Sequence, residues 1–299
     1  MNREILSIDV DQRRAGSRAK PWLRLSIAAA VLAFIGSIIG LTVNGIYDSL
    51  TSAFLFQALA QDIVNAVVAA PLVVLCAVLA LRGSYRAYLI WLGAVAFTVY
   101  SYVIYTFSVP FGAVFPLWVA VLGLSLFALI GGLTSIDRER TAERFTSNRA
   151  VTVAAWTLLV VAGMFGLLWL SEDVPALFNG SRPQSVVDMD LPTNPVHVLD
   201  YAFFLPAALG AGIRQLQRRA FAYPITAAFL VFLLLTSLPI LITPFVQTAL
   251  REPAAWGIMI PIGIVAAVIL GILGWLLATV RTLRTPRAGA PGLGAAGGS

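Results

Sequence analysis

The 299-residue chain is 59% hydrophobic and only 11% charged, with a formal net charge of +6 and a mean hydropathy of +0.88. A soluble domain carries about a quarter charged residues, so this composition excludes one and points to a polytopic membrane protein. The single Cys76 excludes disulfides and cysteine-based metal sites, and the single His197 excludes every multi-histidine site.

In chain order, residues 1–22 are polar and basic (Arg3, Arg13, Arg14, Arg18, Lys20) and read as a cytoplasmic segment. The apolar run over 25–43 exceeds the roughly 7–15-residue core of a signal peptide, and no small-x-small cleavage site follows. It reads as a retained first span. About 20 residues at 1.5 Å each cross a ~30 Å hydrocarbon core, and the charge-poor intervals predict eight spans in a single transmembrane domain over 23–281. They fall at 23–44, 58–81, 87–107, 112–134, 150–171, 195–214, 221–243 and 257–280. The fifty residues between Arg86 and Asp137 contain no acid or base and hold two spans, broken at Val109-Pro110-Phe111-Gly112. The sixth span works only if it starts at Pro195 with Asn194 as N-cap, which carries His197 and Asp200 into the membrane. Residues 282–299 are rich in Gly and Ala and read as a flexible cytoplasmic tail.

With the N-terminus inside, eighteen of the twenty basic residues lie on the cytoplasmic side, leaving Arg182 and Arg251 outside. That is the positive-inside pattern. It predicts cytoplasmic termini, and nineteen arginines to one lysine in an Ala- and Gly-rich chain suggest a bacterial inner membrane. The same scatter excludes nucleic acid as a partner, because topology alone requires those residues. The partner it implies is the bilayer, with attraction to anionic headgroups of about 1 kcal/mol per residue.

Small residues at helical spacing, Gly36 and Gly40 in the first span and Gly263, Ala267 and Gly271 in the eighth, predict close helix contacts. Gly163 and Gly166 suggest the same in the fifth. Shifting the chain by 135 residues lays Asp62 on His197, Asn65 on Asp200, Pro71 on Pro206 and Tyr88 on Tyr223. This suggests a four-plus-four repeat of parallel sense, within an all-α bundle.

Asp62 and Asn65 share a face of the second span, as do His197 and Asp200 on the sixth; Thr98, Ser101, Tyr102 and Tyr105 form a polar face on the third. Ionisable residues at membrane depth mark sites with named partners. Asp62, Asn65, Tyr102, Tyr105, His197 and Asp200 therefore form the candidate ligand site, an outward-facing vestibule for a small solute or cation. The competing reading has these groups serving only helix ends and the aromatic belt. Tyr100, off the polar face, reads as a belt or lipid contact.

Enzymatic readings fail on the residues. Ser125, with His197, resembles a rhomboid-type serine–histidine dyad, but the serine lies ~20 Å below the outer end of its helix and the histidine at the rim. A mononuclear metal on His197, Asp200 and Asp62 is chemically allowed. No cofactor motif is present, and the reading commits to no cofactor and no metal.

Gln61-Asp62-Ile63-Val64-Asn65, Leu191 through Asp200, and Arg82-Gly83-Ser84 before an aromatic-rich span resemble segments of bacterial polytopic membrane proteins described only as hypothetical. The resemblance spans the second to sixth spans and brings no activity or site with it. Two functions follow from the residues themselves. The first is binding or transport of a small solute through the polar site. The alternative is a sensory or interaction subunit whose acidic 172–195 loop (Glu172, Asp173, Asp188, Asp190) meets a membrane or periplasmic protein.

Overall fold

The computed structural model describes residues 2–137, 141, 144–145 and 148–281, with side chains from residue 18 onward except that of Asn148. Arg138 and Arg140, the basic side chains before residue 18 and the 282–299 tail lie outside the described residues. Eight helices are long and apolar enough to cross a membrane. They are α1 (Asn2–Thr42, its apolar part Arg18–Thr42), α2 (Ser52–Leu81), α3 (Tyr85–Ser108), α4 (Phe115–Thr134), α5 (Asn148–Asn179), α6 (Pro195–Leu216), α7 (Ala222–Ala249) and α8 (Trp256–Ala278). Among the described residues the backbone is helical, save for connections and one isolated bridge, Phe145 to Val280. Large apolar side chains such as Leu75, Phe127, Leu167 and Ile260 face outward. An apolar exterior of that extent belongs against lipid, so the chain is an integral membrane protein.

Local sequence sets the helix ends. Thr51 caps α2 through Phe54 N at 3.3 Å, Ser84 caps α3 through Ala87 N at 3.3 Å, and Asn194 Oδ1 accepts from Val196 N at 2.9 Å. The Asn194-Pro195 start expected for the sixth span is therefore formed. The connections before α2, after α3, after α5 and after α7 share one end of the bundle, the lid end below. The arginine-rich turns occupy the other.

The shift of 135 residues reappears in the backbone. α2 and α6 each contain one π-helical turn, Asn65–Ala69 and Asp200–Phe204, at offset-matched positions. Pro71 and Pro206 follow each turn by two residues. Proline has no N–H for the i−4 carbonyl and its ring crowds that carbonyl, and here the turn before it relaxes into i→i+5 bonding. α2 and α6 end at Leu81 and Leu216, again 135 apart. Both then turn with one left-handed residue, Gly83 (φ 96°) and Arg218 (φ 57°). The closing bonds also match: Gly83 N to Ala80 O and Ser84 N to Leu79 O, against Arg218 N to Gln215 O and Arg219 N to Arg214 O.

Packing repeats the pattern. The contacts α1–α2, α1–α4, α2–α3 and α3–α4 recur as α5–α6, α5–α8, α6–α7 and α7–α8. The halves meet chiefly where α3 and α2 pack on α7. At that crossing Gly93 faces its own offset partner, Ala228: a Cβ on Gly93 would overlap the Ala228 carbonyl oxygen and stand 2.5 Å from Val231 Cβ. The four-plus-four arrangement is thus present as shared geometry, with an approximate twofold running between α3 and α7.

Small-residue spacing proves a mixed guide. Gly36 packs against Leu117 on α4, and Gly40 against Asp62 and Tyr47. Gly263 and Gly271, however, have nothing within 4 Å of a built Cβ, nor has Gly163. The buried face of α8 carries Ala266, Ile269, Leu273 and Leu276 instead. The expected contact stripe on α8 looks outward because its larger residues make the better fit against α5 and α7.

Candidate functional site

The six residues singled out from the sequence divide between two hydrogen-bonded networks and one cavity. The first network surrounds Asp62, ten residues into α2 and 2% exposed. Tyr47, in the connection before α2, donates to Oδ2 at 2.7 Å, and Tyr105 on α3 donates to Oδ1 at 2.8 Å. Burial, and next the Asp62 carboxylate, push the Tyr47 phenol far above its ordinary range, so it remains a donor. Gly40 lets α1 lie directly on this carboxylate: a Cβ there would overlap Asp62 Oδ2 and come within 2.8 Å of the Tyr47 hydroxyl. Tyr102, 1% exposed, turns away and donates to Ala33 O at 3.3 Å. Asn65 accepts from Gln61 Nε2 at 2.9 Å, while its own amide nitrogen is buried without a partner.

The second network surrounds Asp200, the first residue of the π turn in α6. Tyr100 donates to Oδ1 at 3.0 Å and the Trp169 indole N–H to Oδ2 at 2.8 Å. Tyr100 is thus a carboxylate partner, not the lipid contact that the sequence suggested. Asp200, where the π turn of α6 begins, meets α3 on the side that carries Tyr100, a side that regular helical spacing did not count as polar. His197 stands one turn above and lies against Trp169, the rings tilted by 32° with centroids 4.4 Å apart. Its Nδ1 lies 2.9 Å from Asp173 Oδ2, its Nε2 lies 3.8 Å from Glu172, and Tyr201 donates to the same Asp173 oxygen at 3.0 Å.

Asp173 and Glu172 belong to α5, which runs to Asn179, so the connection is 180–194 and not the 172–195 loop expected from charge. It folds down over the bundle. Its short helix, Gln184–Met189, is tied by Ser185 N to Glu172 Oε1 at 2.7 Å, by Asn194 Nδ2 to Ser185 Oγ at 3.0 Å, and by Gln57 Nε2 to Met189 Sδ at 3.8 Å.

Beneath this lid lies a cavity of about 450 Å³ between the two halves, within the size range of small-molecule sites. Residues related by the 135-residue offset line it from both sides: Phe54 and Met189, Gln61 and Val196, Phe97 and Phe232, Ser101 and Thr236, Tyr105 and Ile240, Val109 and Pro244. The cavity therefore straddles the approximate twofold. Polar groups line both walls, with Gln57, Gln61, Ser101 and Tyr105 on the α2–α3 side and Trp169, Asp200, Thr236 and Thr243 opposite, but the charge is one-sided. Asp200 is the sole formally charged residue in that lining, which contains no Lys, Arg or His.

Of the expected site residues, Asp200 and Tyr105 face the cavity. Asp62, Asn65, Tyr102 and His197 are not part of its wall; Asp62 touches it through Tyr105, and His197 through Trp169. Among the described residues no three His, Cys, Asp or Glu side chains are grouped to hold a metal. Ser125 bonds only its own helix, to Val121 O at 2.7 Å, so the discarded dyad has no counterpart. Sequence reasoning missed Tyr47, Tyr100, Trp169 and Asp173. Asp173 was hidden because the charge at Glu172 looked like the end of a span, and Trp169, one turn before it on α5, because it lay in an apolar stretch of that span.

Comparison with family models, curated proteins and solved structures finds no match for the chain.

Proposed function

We propose that this membrane protein binds an amphiphilic solute with a cationic end, taken into the cavity between its halves. One observation carries the reading: a 450 Å³, largely apolar cavity whose only formal charge is the Asp200 carboxylate. A carboxylate removed from water and given no basic partner gains from a counter-cation, whereas an anionic ligand would meet it as a like charge. Apolar walls remove the solute's hydrocarbon from water, and the few polar groups orient it. The position at the interface of repeated halves is where transporters keep their substrates, which favours a solute-handling role. The alternative, a partner docking on the connection after α5, draws support from exposed Asp188 and Asp190. Against it, that segment turns Ser185, Met189 and Asn194 inward as the cavity's cover.

The test is titration of the protein in nanodiscs, followed by fluorescence quenching, with a phenethylammonium ion and the matching neutral alcohol. The cation should bind at least about tenfold more tightly, an effect of roughly 1.4 kcal/mol, and Asp200→Asn should erase that preference. Equal binding of both probes, or an Asp200→Asn variant that keeps the preference, overturns the reading.

The lid end is assigned to the outside by the charge bias, since it holds only Arg182 and Arg251 against the arginines of the opposite end. A reporter active only in the cytoplasm should work when inserted in the α4–α5 connection and fail in the 180–188 segment. Activity within 180–188 would reverse the orientation.

A further inference from the structure

The cavity's polar end has a feature that a generic cation site does not need: both groups bonded to Asp200 are aromatic, and the wall around them continues as aromatic rings. Tyr100 and Trp169 hold the two carboxylate oxygens at 3.0 and 2.8 Å. Phe232 meets Tyr100 edge-on at 5.3 Å, Phe204 stacks on Phe232 at 5.0 Å, and Phe97, the offset partner of Phe232, lines the same space. Resting on the cationic-solute reading above, we infer that the head group bound here is a methylated ammonium, quaternary or tertiary, in preference to a primary amine.

The argument is one of donors and acceptors. A primary ammonium brings three N–H donors and a tightly held hydration shell. To enter without loss it needs about three acceptors at close range. Asp200 has already committed one lone pair on each oxygen. The neighbouring hydroxyls of Thr236 and Thr243 donate to their own helix carbonyls, Leu233 O at 3.0 Å and Pro239 O at 2.8 Å, which leaves only neutral hydroxyl lone pairs to accept on that wall. The Ser101 hydroxyl, on the opposite wall, is buried without a hydrogen-bond partner. A trimethylammonium group has no N–H to satisfy and is weakly hydrated. It is held by charge and by the negative faces of aromatic rings within about 6 Å. Asp200 supplies the charge at slightly longer range without surrendering Tyr100 or Trp169. The ring-lined end and the single carboxylate thus suit the same group.

The 299-residue chain in nanodiscs is titrated with phenethyltrimethylammonium and phenethylammonium, in its native form and as Phe232→Leu. The trimethylated probe should bind about tenfold more tightly to the native chain. Phe232→Leu should remove most of that advantage, with thermal unfolding in detergent reporting that the variant is folded. A primary amine that binds as tightly as the trimethylated probe or better, still dependent on Asp200, sinks the head-group assignment and leaves the cation site standing. An advantage that survives Phe232→Leu sinks it as well, because the rings are then not its source. Absence of binding by either probe removes the cation reading and this inference with it.

Discussion

Gly93→Leu should be the most damaging single substitution in the bundle. Gly93 sits where α3 crosses α7, and the first added carbon already overlaps the Ala228 carbonyl oxygen, with Val231 Cβ 2.5 Å away. A flexible side chain could move aside; a helix backbone cannot without parting the two halves. Overpacking a tight interior typically costs about 1–3 kcal/mol, and a contact with backbone on the approximate twofold belongs at or above the top of that range. The cavity lies at the same interface, so parting the halves would also open its walls. Thermal unfolding in detergent, compared with Gly163→Leu, measures the effect, because Gly163 has open space at its Cβ. The Gly163 change should stay within about 0.5 kcal/mol, the range of substitutions away from special features. Equal stability of the two variants would show that α3 and α7 do not cross as described.

Asp62→Asn is the second large effect, and it concerns stability before ligand. Two phenols donate to the native carboxylate, one to each oxygen. An amide offers one acceptor oxygen and one N–H₂, so one tyrosine would face a donor. Tyr105 has a second acceptor in Ala58 O at 3.2 Å, which makes Tyr47 the hydroxyl most exposed to loss. Leaving a buried donor unpaired costs about 1–3 kcal/mol, and Gly40 and Tyr105 leave no room for water to repair it. A double-mutant cycle of Asp62→Asn with Tyr47→Phe checks this. The pair should be markedly less destabilising than the sum of the singles, with a coupling near 1 kcal/mol or more. Additive losses would mean that the Tyr47 bond contributes nothing and the connection before α2 is held by other contacts.

How much of this was legible in the sequence depends on which interaction fixed each feature. The eight spans were readable because hydrocarbon thickness acts on every residue alike. Even the weak sixth span yielded to Asn194 and Pro195, whose capping chemistry is local. The 135-residue offset was visible as a few polar and proline coincidences, and it organises the backbone, down to matched turns at Gly83 and Arg218. The grouping of the polar residues was not legible. Spacing along one helix places Asp62 and Asn65 on a common face, but says nothing about which neighbour brings a hydroxyl. Tyr47 came from a connection and Trp169 from a stretch that scores as plain lipid-facing helix. The Gly263–Gly271 stripe failed for a related reason: small residues permit a close approach without supplying the surface that makes it. Charge misled at Glu172 and Asp173, because acids can continue a helix above the membrane as readily as end one.

The two π turns carry a consequence in terms of rotational phase. Each adds one residue to a helix that advances about 100° per residue, so the stretch above the turn is offset by roughly that angle from where an unbroken helix would place it. In α6 this lets the lower part pack on α5 and α7 while the upper part presents Asp200 to Tyr100 and the cavity. In α2 it lets the upper part pack on α7 and carry Asp62 to Tyr47 and Tyr105 while the residues below pack against α1 and α3. A helix without the extra residue could satisfy one of these neighbours but not both. The prolines that follow the turns therefore act as indexing marks: they fix where along α2 and α6 the phase slips, and with it which side chains the cavity receives.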